Sequence, residues 1–195
     1  QAGDTYTFII NYQSKNYTRL DPFAYALDQV TDSVYTQSVV ADLSFDWGNT
    51  TIPSFTLDQI VIYEMQIPTF NPSSSNGVGT FQQAISKLDY LKELGVTIIE
   101  PIPINTYSGG ARGWGYNPTV PNTIMNAFGG LNGFRQFVMA CHQRGMGVFV
   151  DVVWNHMGSP NILALYDGWS QAQPGFPTNS GPPQGIYFYQ DENAV

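Results

Sequence analysis

Positive charge is what this sequence has least of. Seven Lys and Arg stand against fifteen Asp and Glu, a formal net charge of -8. Such a chain repels phosphate backbones and anionic headgroups, which argues against nucleic acid and membrane surfaces as partners. Charge of either sign is also scarce, since Asp, Glu, Lys and Arg make up 11% of the residues where ~25% is usual in globular domains. Aromatic and amide side chains take their place, and such a surface suits neutral, hydroxyl-rich ligands.

A single cysteine, Cys141, leaves no internal disulfide framework. No apolar run approaches the ~18 residues of a spanning helix, and Gln1-Ala2-Gly3-Asp4 does not read as a signal peptide. The sequons Asn16-Tyr17-Thr18 and Asn49-Thr50-Thr51 occur at chance frequency, so they do not fix the compartment. What is abundant is core material: 43% hydrophobic and 14% aromatic over 195 residues, enough to bury a sizeable interior.

Residues 1–55 read as the end of a small β-rich module and its linker. Thr5 to Tyr12 has the β-branched and aromatic content of a strand, Phe23 to Val30 fits strand or helix, and Asp46 to Pro53 is a polar connector. From 56 onward the periodicity changes in order. Ile60 to Ile67 is an apolar run of strand length, of the kind buried on both faces of a parallel sheet. Thr80 and Gln83 form a capping-box pattern, and Phe81, Ala84, Ile85, Leu88, Leu91 and Leu94 follow at helical spacing up to Gly95. Val96 to Ile104 reads as a second buried strand, ended by Pro101 and Pro103. A Gly, Asn and Pro-rich loop covers about 105 to 130. Phe134, Phe137, Val138 and Cys141 then share a helical face that Gly145 stops, and Gly147 to Trp154 reads as a third strand. Strand, helix, strand, helix, strand at this spacing predicts an α/β fold with βαβ units and a parallel sheet. Residues 157 to 195 are loop-like, with an aromatic burst at Ile186 to Tyr189.

Ligands of parallel α/β folds bind at the carboxyl ends of the strands. Each expected strand carries one carboxylate: Glu64, Glu100 and Asp151. A buried carboxylate needs a partner, and pairing inside the sheet is the plain structural reading of all three. Asp151 also opens a denser group, because strand alternation puts Asp151, Val153 and Asn155 on one face and frees His156 at the strand end. Such a group can grip sugar hydroxyls. It can equally be a satisfied structural histidine with its neighbours, and Asn155 could be an oxygen ligand to a metal, although no carboxylate cluster of calcium-loop spacing accompanies it. Gly113-Trp114-Gly115-Tyr116-Asn117-Pro118 lies in the loop after the second strand. Trp114 and Tyr116 offer ring faces suited to a pyranose, or else an aromatic plug for the loop. A nucleotide site is disfavoured, since no Gly-rich phosphate loop follows a strand.

Five stretches together resemble the alpha-amylase superfamily: Ile62 to Gln66, Leu88 to Thr97, Gly113 to Pro118, Ala140 to Gly145, and Asp151-Val152-Val153-Trp154-Asn155-His156. Among its members they look most like the 1,4-alpha-glucan branching enzymes and their isoamylase and trehalohydrolase relatives. The resemblance implies that residues 56–195 are the N-terminal part of a (β/α)8 TIM barrel, about three βα units, truncated after the third strand and its loop. It also implies retaining chemistry on alpha-glucosidic bonds, with an aspartate nucleophile and a glutamate acid and base. Those carboxylates follow later strands in the family, so none of the catalytic residues is expected within this chain. By the same resemblance Tyr116 would stack on the sugar, with Trp114 beside it, and His156 would bond the sugar hydroxyls. Asp151 would orient the catalytic core from behind, and Asn155 would hold the loop.

The expected function is alpha-glucan branching. The alternatives are a debranching or trehalose-releasing hydrolase, or a non-catalytic glycan-binding or assembly protein. The expected partners are an alpha-glucan and the remainder of the chain or a complementing fragment, without which the piece should be inert. No cofactor or metal is expected, and cytoplasmic localisation is implied by the family alone. Two positions depart from the family pattern. Gln66 stands where His is common and Phe128 where Tyr is common, both expected near the glucan groove.

Overall fold

The computed structural model describes residues 1–12, 14–31, 34–75, 77–158 and 162–163. At its centre three parallel strands lie side by side: β6 (Ile62–Met65), β7 (Ile98–Pro101) and β10 (Gly147–Val148), in the order β10-β7-β6. Ile62 pairs with Ile98 and Glu64 with Glu100, while Gly147 pairs with Ile98 from the other side. One face of this sheet is covered by α2 (Phe81–Ile85), α3 (Leu88–Glu93) and α4 (Gly130–Gln143). Met65, Phe81, Leu88, Leu91, Ile99, Phe137 and Met146, each no more than 1% exposed, form the core between them.

The expected helix from Phe81 to Leu94 starts where the sequence places it. Thr80 Oγ1 accepts from the Gln83 amide at 3.3 Å, and Gln83 Oε1 accepts from the Thr80 amide at 2.8 Å, which closes the capping box. It is nonetheless two helices. The Gln83 carbonyl accepts from Asn71 Nδ2 at 2.9 Å and from Ser86 Oγ at 2.7 Å, and the Lys87 amide turns to Ala84 at 2.9 Å. That tighter turn breaks the i to i-4 ladder before α3 resumes. Gly95 and Gly145, both at positive φ, end α3 and α4 as expected.

The strands are shorter than expected. Ile67 already begins the short helix α1 (Ile67–Phe70) rather than ending a strand, and Val96 to Ile104 is paired only over Ile98–Pro101. Gly147 to Trp154 is regular only at Gly147–Val148. The Phe149 amide adds one bond to the Ile99 carbonyl at 3.0 Å, and the chain then runs without a ladder. Its outer edge has no strand beside it among the described residues, and Phe149, Val150, Val152 and Trp154 are 44 to 70% exposed. Nor is β6 buried on both faces. Tyr63 and Met65 point to the helices, while Ile62 and Glu64 are exposed on the opposite face.

The expected loop at 105 to 130 contains an antiparallel hairpin, β8 (Asn105–Tyr107) with β9 (Pro118–Ile124), and a 3-10 turn at Asn126–Phe128. Register shifts in the pairing accommodate Pro118 and Pro121, which cannot donate to a ladder. Thr5 to Tyr12 is two strands rather than one, β1 (Thr5–Tyr6) and β2 (Phe8–Tyr12). These join β3 (Lys15–Arg19), β4 (Ala26–Thr31) and β5 (Val34–Val39) in antiparallel pairs, so the Phe23 to Val30 ambiguity resolves to strand. This β-rich segment is held to the rest by side-chain donors aimed at its carbonyls. Asn126 Nδ2 reaches Leu27 at 2.8 Å and Arg135 reaches Asp42, Leu43 and Ser44 at 3.0 to 3.4 Å. Apart from Met157, Gly158, Ile162 and Leu163, the stretch 157–195, with Ile186 to Tyr189, lies outside the described residues. No helix among the described residues is long and apolar enough to cross a membrane.

Cys141, at 0% exposure on the inner face of α4, has its thiol pushed up to about 12 by burial, with the Arg144 charge pulling the other way. The reactive thiolate is therefore both rare and inaccessible. Labelling with a chromogenic disulfide reagent should be at least ~100-fold slower in buffer than in denaturant, because it waits on an opening of the core. Rapid stoichiometric labelling of the native protein would contradict this packing.

Candidate active site

At the carboxyl end of the sheet, the loop after β7 and the segment after β10 meet. His156 Nε2 lies 2.7 Å from the Tyr116 carbonyl oxygen, and His156 Nδ1 lies 3.2 Å from Asn155 Nδ2. A carbonyl can only accept, so Nε2 carries the proton and Nδ1 is the acceptor for Asn155. Two residues further on, the Gly158 amide donates to the Pro118 carbonyl at 2.7 Å, which stitches the two loops together a second time.

The aromatic loop is seated as well as stitched. Gly115 has φ +84°, and a Cβ there would lie 2.1 Å from the Pro103 carbonyl oxygen, so only glycine lets the backbone rest on the end of the second strand segment. Just before it, the Gly113 carbonyl accepts from Gln66 Nε2 and from the Tyr107 hydroxyl, both at 3.1 Å. One residue earlier, Arg112 reaches the carbonyls of Ser75 and Gly77 at 3.0 and 3.3 Å. Trp114 projects from this scaffold at 69% exposure and Tyr116 at 40%.

The phenol of Tyr116 turns toward the sheet. Its pKa is pushed up to about 12, first by desolvation, then by its hydrogen bond to Asp151 and by the charges of Asp151, Glu64 and Glu100. The phenol thus stays protonated, close to the Asp151 carboxylate. The three carboxylates are placed together as their strands predict, but not buried as expected. Glu64 is exposed, and Glu100 and Asp151 are half-buried. Among the described residues the ion pairs are Arg144 with Asp89 and the amino terminus with Asp4, so none of the three is paired with a cation. Solvent access on that face removes the need for pairing. No group of three or more His, Cys, Asp or Glu that could hold a metal occurs among the described residues.

Of the residues singled out from sequence, Tyr116, His156, Asn155 and Asp151 are brought together, with Trp114 on the same loop. The two departures turn out differently. Phe128 is 1% exposed and packs its ring against Phe81 and Tyr107 at centroid distances of 6.3 and 6.4 Å, so it belongs to the core and not to a groove. Gln66 is part of the loop's support. Sequence reasoning missed that role and the Pro103 seat, because in both the partner is a main-chain carbonyl that every residue type carries.

Known proteins share this fold. The chain is 33% identical over 192 residues to malto-oligosyltrehalose trehalohydrolase of Saccharolobus solfataricus, covering 98% of this chain and 31% of that protein. It therefore spans about a third of the length of that relative. An alpha amylase assignment accompanies a crystal structure from Salmonella typhimurium that matches with a TM-score of 0.72 and 39% identity, over 85% of this chain and 26% of the other. Group B Streptococcus pullulanase SAP in complex with maltotetraose matches with a TM-score of 0.64 and 26% identity, over 78% and 25% of the two chains. The family model described as alpha amylase, catalytic domain, matches residues 65–169. With more than half of its length inside that match, and β7, β10, the aromatic loop and the His156 junction all within it, the chain belongs to the alpha-amylase family.

Proposed function

We propose that this chain supplies the first strands and the sugar-gripping rim of an alpha-glucan hydrolase of the trehalose-releasing type. The observation that carries the reading is the 2.7 Å junction of His156 with the Tyr116 backbone, which fixes the loop bearing the exposed Trp114 and Tyr116 rings at the sheet's carboxyl end. Trp114 and Tyr116 offer their faces to pyranose rings, and a sugar hydroxyl reaches His156 Nδ1 by displacing the long 3.2 Å bond from Asn155. Branching, the activity placed first by sequence resemblance, gains no support from the relatives named above, one of which is a trehalohydrolase. The exposed edge at Phe149 to Trp154 is where further strands add, and the carboxylates that break the bond reside on those strands.

The test uses the full-length enzyme with malto-oligosyltrehalose, following released trehalose. His156→Ala should lower kcat/KM at least ~10-fold, the loss expected when a polar contact that tightens in the transition state is removed. Wild-type rates in the variant would make His156 a purely structural residue. New branch points with no trehalose released would return the assignment to transglycosylation.

A further inference from the structure

We propose that Gln66 is a positioning residue that sets the Trp114–Tyr116 aromatic platform for an alpha-glucan; this rests on the reading above. Gln66 directly follows the first central strand at the N-cap position of α1, far from Gly113 in sequence, yet its Nε2 donates to the Gly113 carbonyl at 3.1 Å. The orientation of the amide is fixed by chemistry on both sides. A carbonyl accepts only, so the nitrogen faces Gly113. The oxygen then accepts from Thr69 Oγ1 at 2.6 Å. Thr69 lies within α1, so a helix of the scaffold orients the amide and the amide holds the loop.

The attachment falls where it has leverage. Gly113 immediately precedes Trp114, and its carbonyl is doubly used, by Gln66 and by the Tyr107 hydroxyl at 3.1 Å. Downstream the loop rests on Pro103 at Gly115 and is pinned to His156 at Tyr116. Gln66 therefore joins Tyr107 and Arg112 in fixing the upstream side of a span whose downstream side is already fixed, and it is the anchor that ties this span to the central sheet. Trp114, 69% exposed between the two, takes its direction from both. Pre-setting a ring for stacking removes an ordering cost at binding, so losing the donor should appear as lost affinity.

The discriminating variant is Gln66→Glu in the full-length protein. Its shape is nearly unchanged, but as a carboxylate it accepts only and turns a lone pair toward the Gly113 carbonyl. Protonated, it regains an O–H that can donate there. Other titratable or charged groups at this junction are Glu64 on β6, Tyr107 on β8 and Arg112 on the loop, and all remain in both proteins. The quantity to read is thus the affinity ratio of wild type to variant for maltopentaose, measured by titration calorimetry at several pH values. The ratio should be about 5 to 10 at pH 7, as for one lost hydrogen bond, and fall below about 2 near pH 4, as the carboxyl protonates.

Gln66→Met, which lacks the donor at every pH, should show the same loss with no recovery and covers the case of a Gln66→Glu protein that folds poorly. Equal affinities of wild type and both variants at pH 7 would overturn the positioning role while leaving the glucan reading intact. A loss in Gln66→Glu that persists unchanged at pH 4 would also overturn it, since donor chemistry would not be the cause. Failure of the wild type itself to bind maltopentaose would overturn the glucan reading, and with it the ligand named here.

Discussion

Phe81→Ala should remove about 3–5 kcal/mol of folding stability, the range for truncating a fully buried aromatic. Phe81 is 0% exposed and is the first residue of α2, directly after the Thr80 cap. Its ring lies between those of Phe128, Phe134 and Phe137 at centroid distances of 6.3, 5.4 and 5.6 Å. Collapse around the hole is resisted because two of those rings stand on α4, whose Gly133 already approaches the Phe81 ring so closely that an added Cβ would lie 3.4 Å from it. The variant therefore loses the transfer free energy of the ring and keeps most of the cavity. Tyr90→Ala on α3, where the side chain is 59% exposed, should by contrast stay within about 0.5 kcal/mol. Urea unfolding of both variants checks the pair. A Phe81→Ala loss under about 1.5 kcal/mol would mean that α2 and α4 close the gap by sliding.

How far the sequence could be read depended on whether a feature is made by side-chain type or by main chain. The cap at Thr80, the apolar spacing behind it and the stops at Gly95 and Gly145 are side-chain signals, and they locate the α2 to α3 segment. The break at Ser86 and Lys87 arises because Asn71, fifteen residues before Ser86, takes a carbonyl from the ladder, and no local periodicity encodes that. Strand lengths were overestimated because an apolar run specifies burial, not pairing. In Ile62 to Met65 the strict alternation of exposed and covered residues shows that the run has two different faces. The hairpin β8 to β9 was hidden by its own Pro118 and Pro121, which mark a loop unless the register shifts to admit them.

The rim follows the same rule. That Tyr116 and His156 meet was legible, since both follow parallel strands that end at the same side of a sheet. That they meet through the Tyr116 carbonyl, and that the Trp114 loop hangs from Gln66 and Pro103, was not. Phe128 shows the converse, for a position that departs from a family pattern need not lie near substrate. Its neighbours are Phe81 and Tyr107, and its departure concerns packing.

Gly115→Ala should be the most damaging single change at the rim. At φ +84° any other residue is strained, and its Cβ would sit 2.1 Å from the Pro103 oxygen and 2.9 Å from both the Pro103 carbonyl carbon and Cβ. Neither side can give cheaply. Pro103 has a fixed φ and lies in the short link between β7 and β8, and the loop is pinned on both flanks by Gln66 and His156. To regain the 3.4 Å of ordinary contact the loop must lift from the strand end. Strain and lost contacts together should cost about 2–4 kcal/mol of stability. Lifting also carries the Tyr116 carbonyl away from His156 Nε2 and the phenol away from Asp151, so the affinity of the full-length protein for maltopentaose should fall at least ~10-fold. A double-mutant cycle separates this from general damage. If the Gly115 substitution acts by breaking the Tyr116 to His156 junction, adding His156→Ala to it should cost much less than His156→Ala costs alone. Additive losses would place the two residues in independent roles, and affinity within twofold of wild type would show that the loop tolerates being lifted and that the seat on Pro103 does not set the sugar platform.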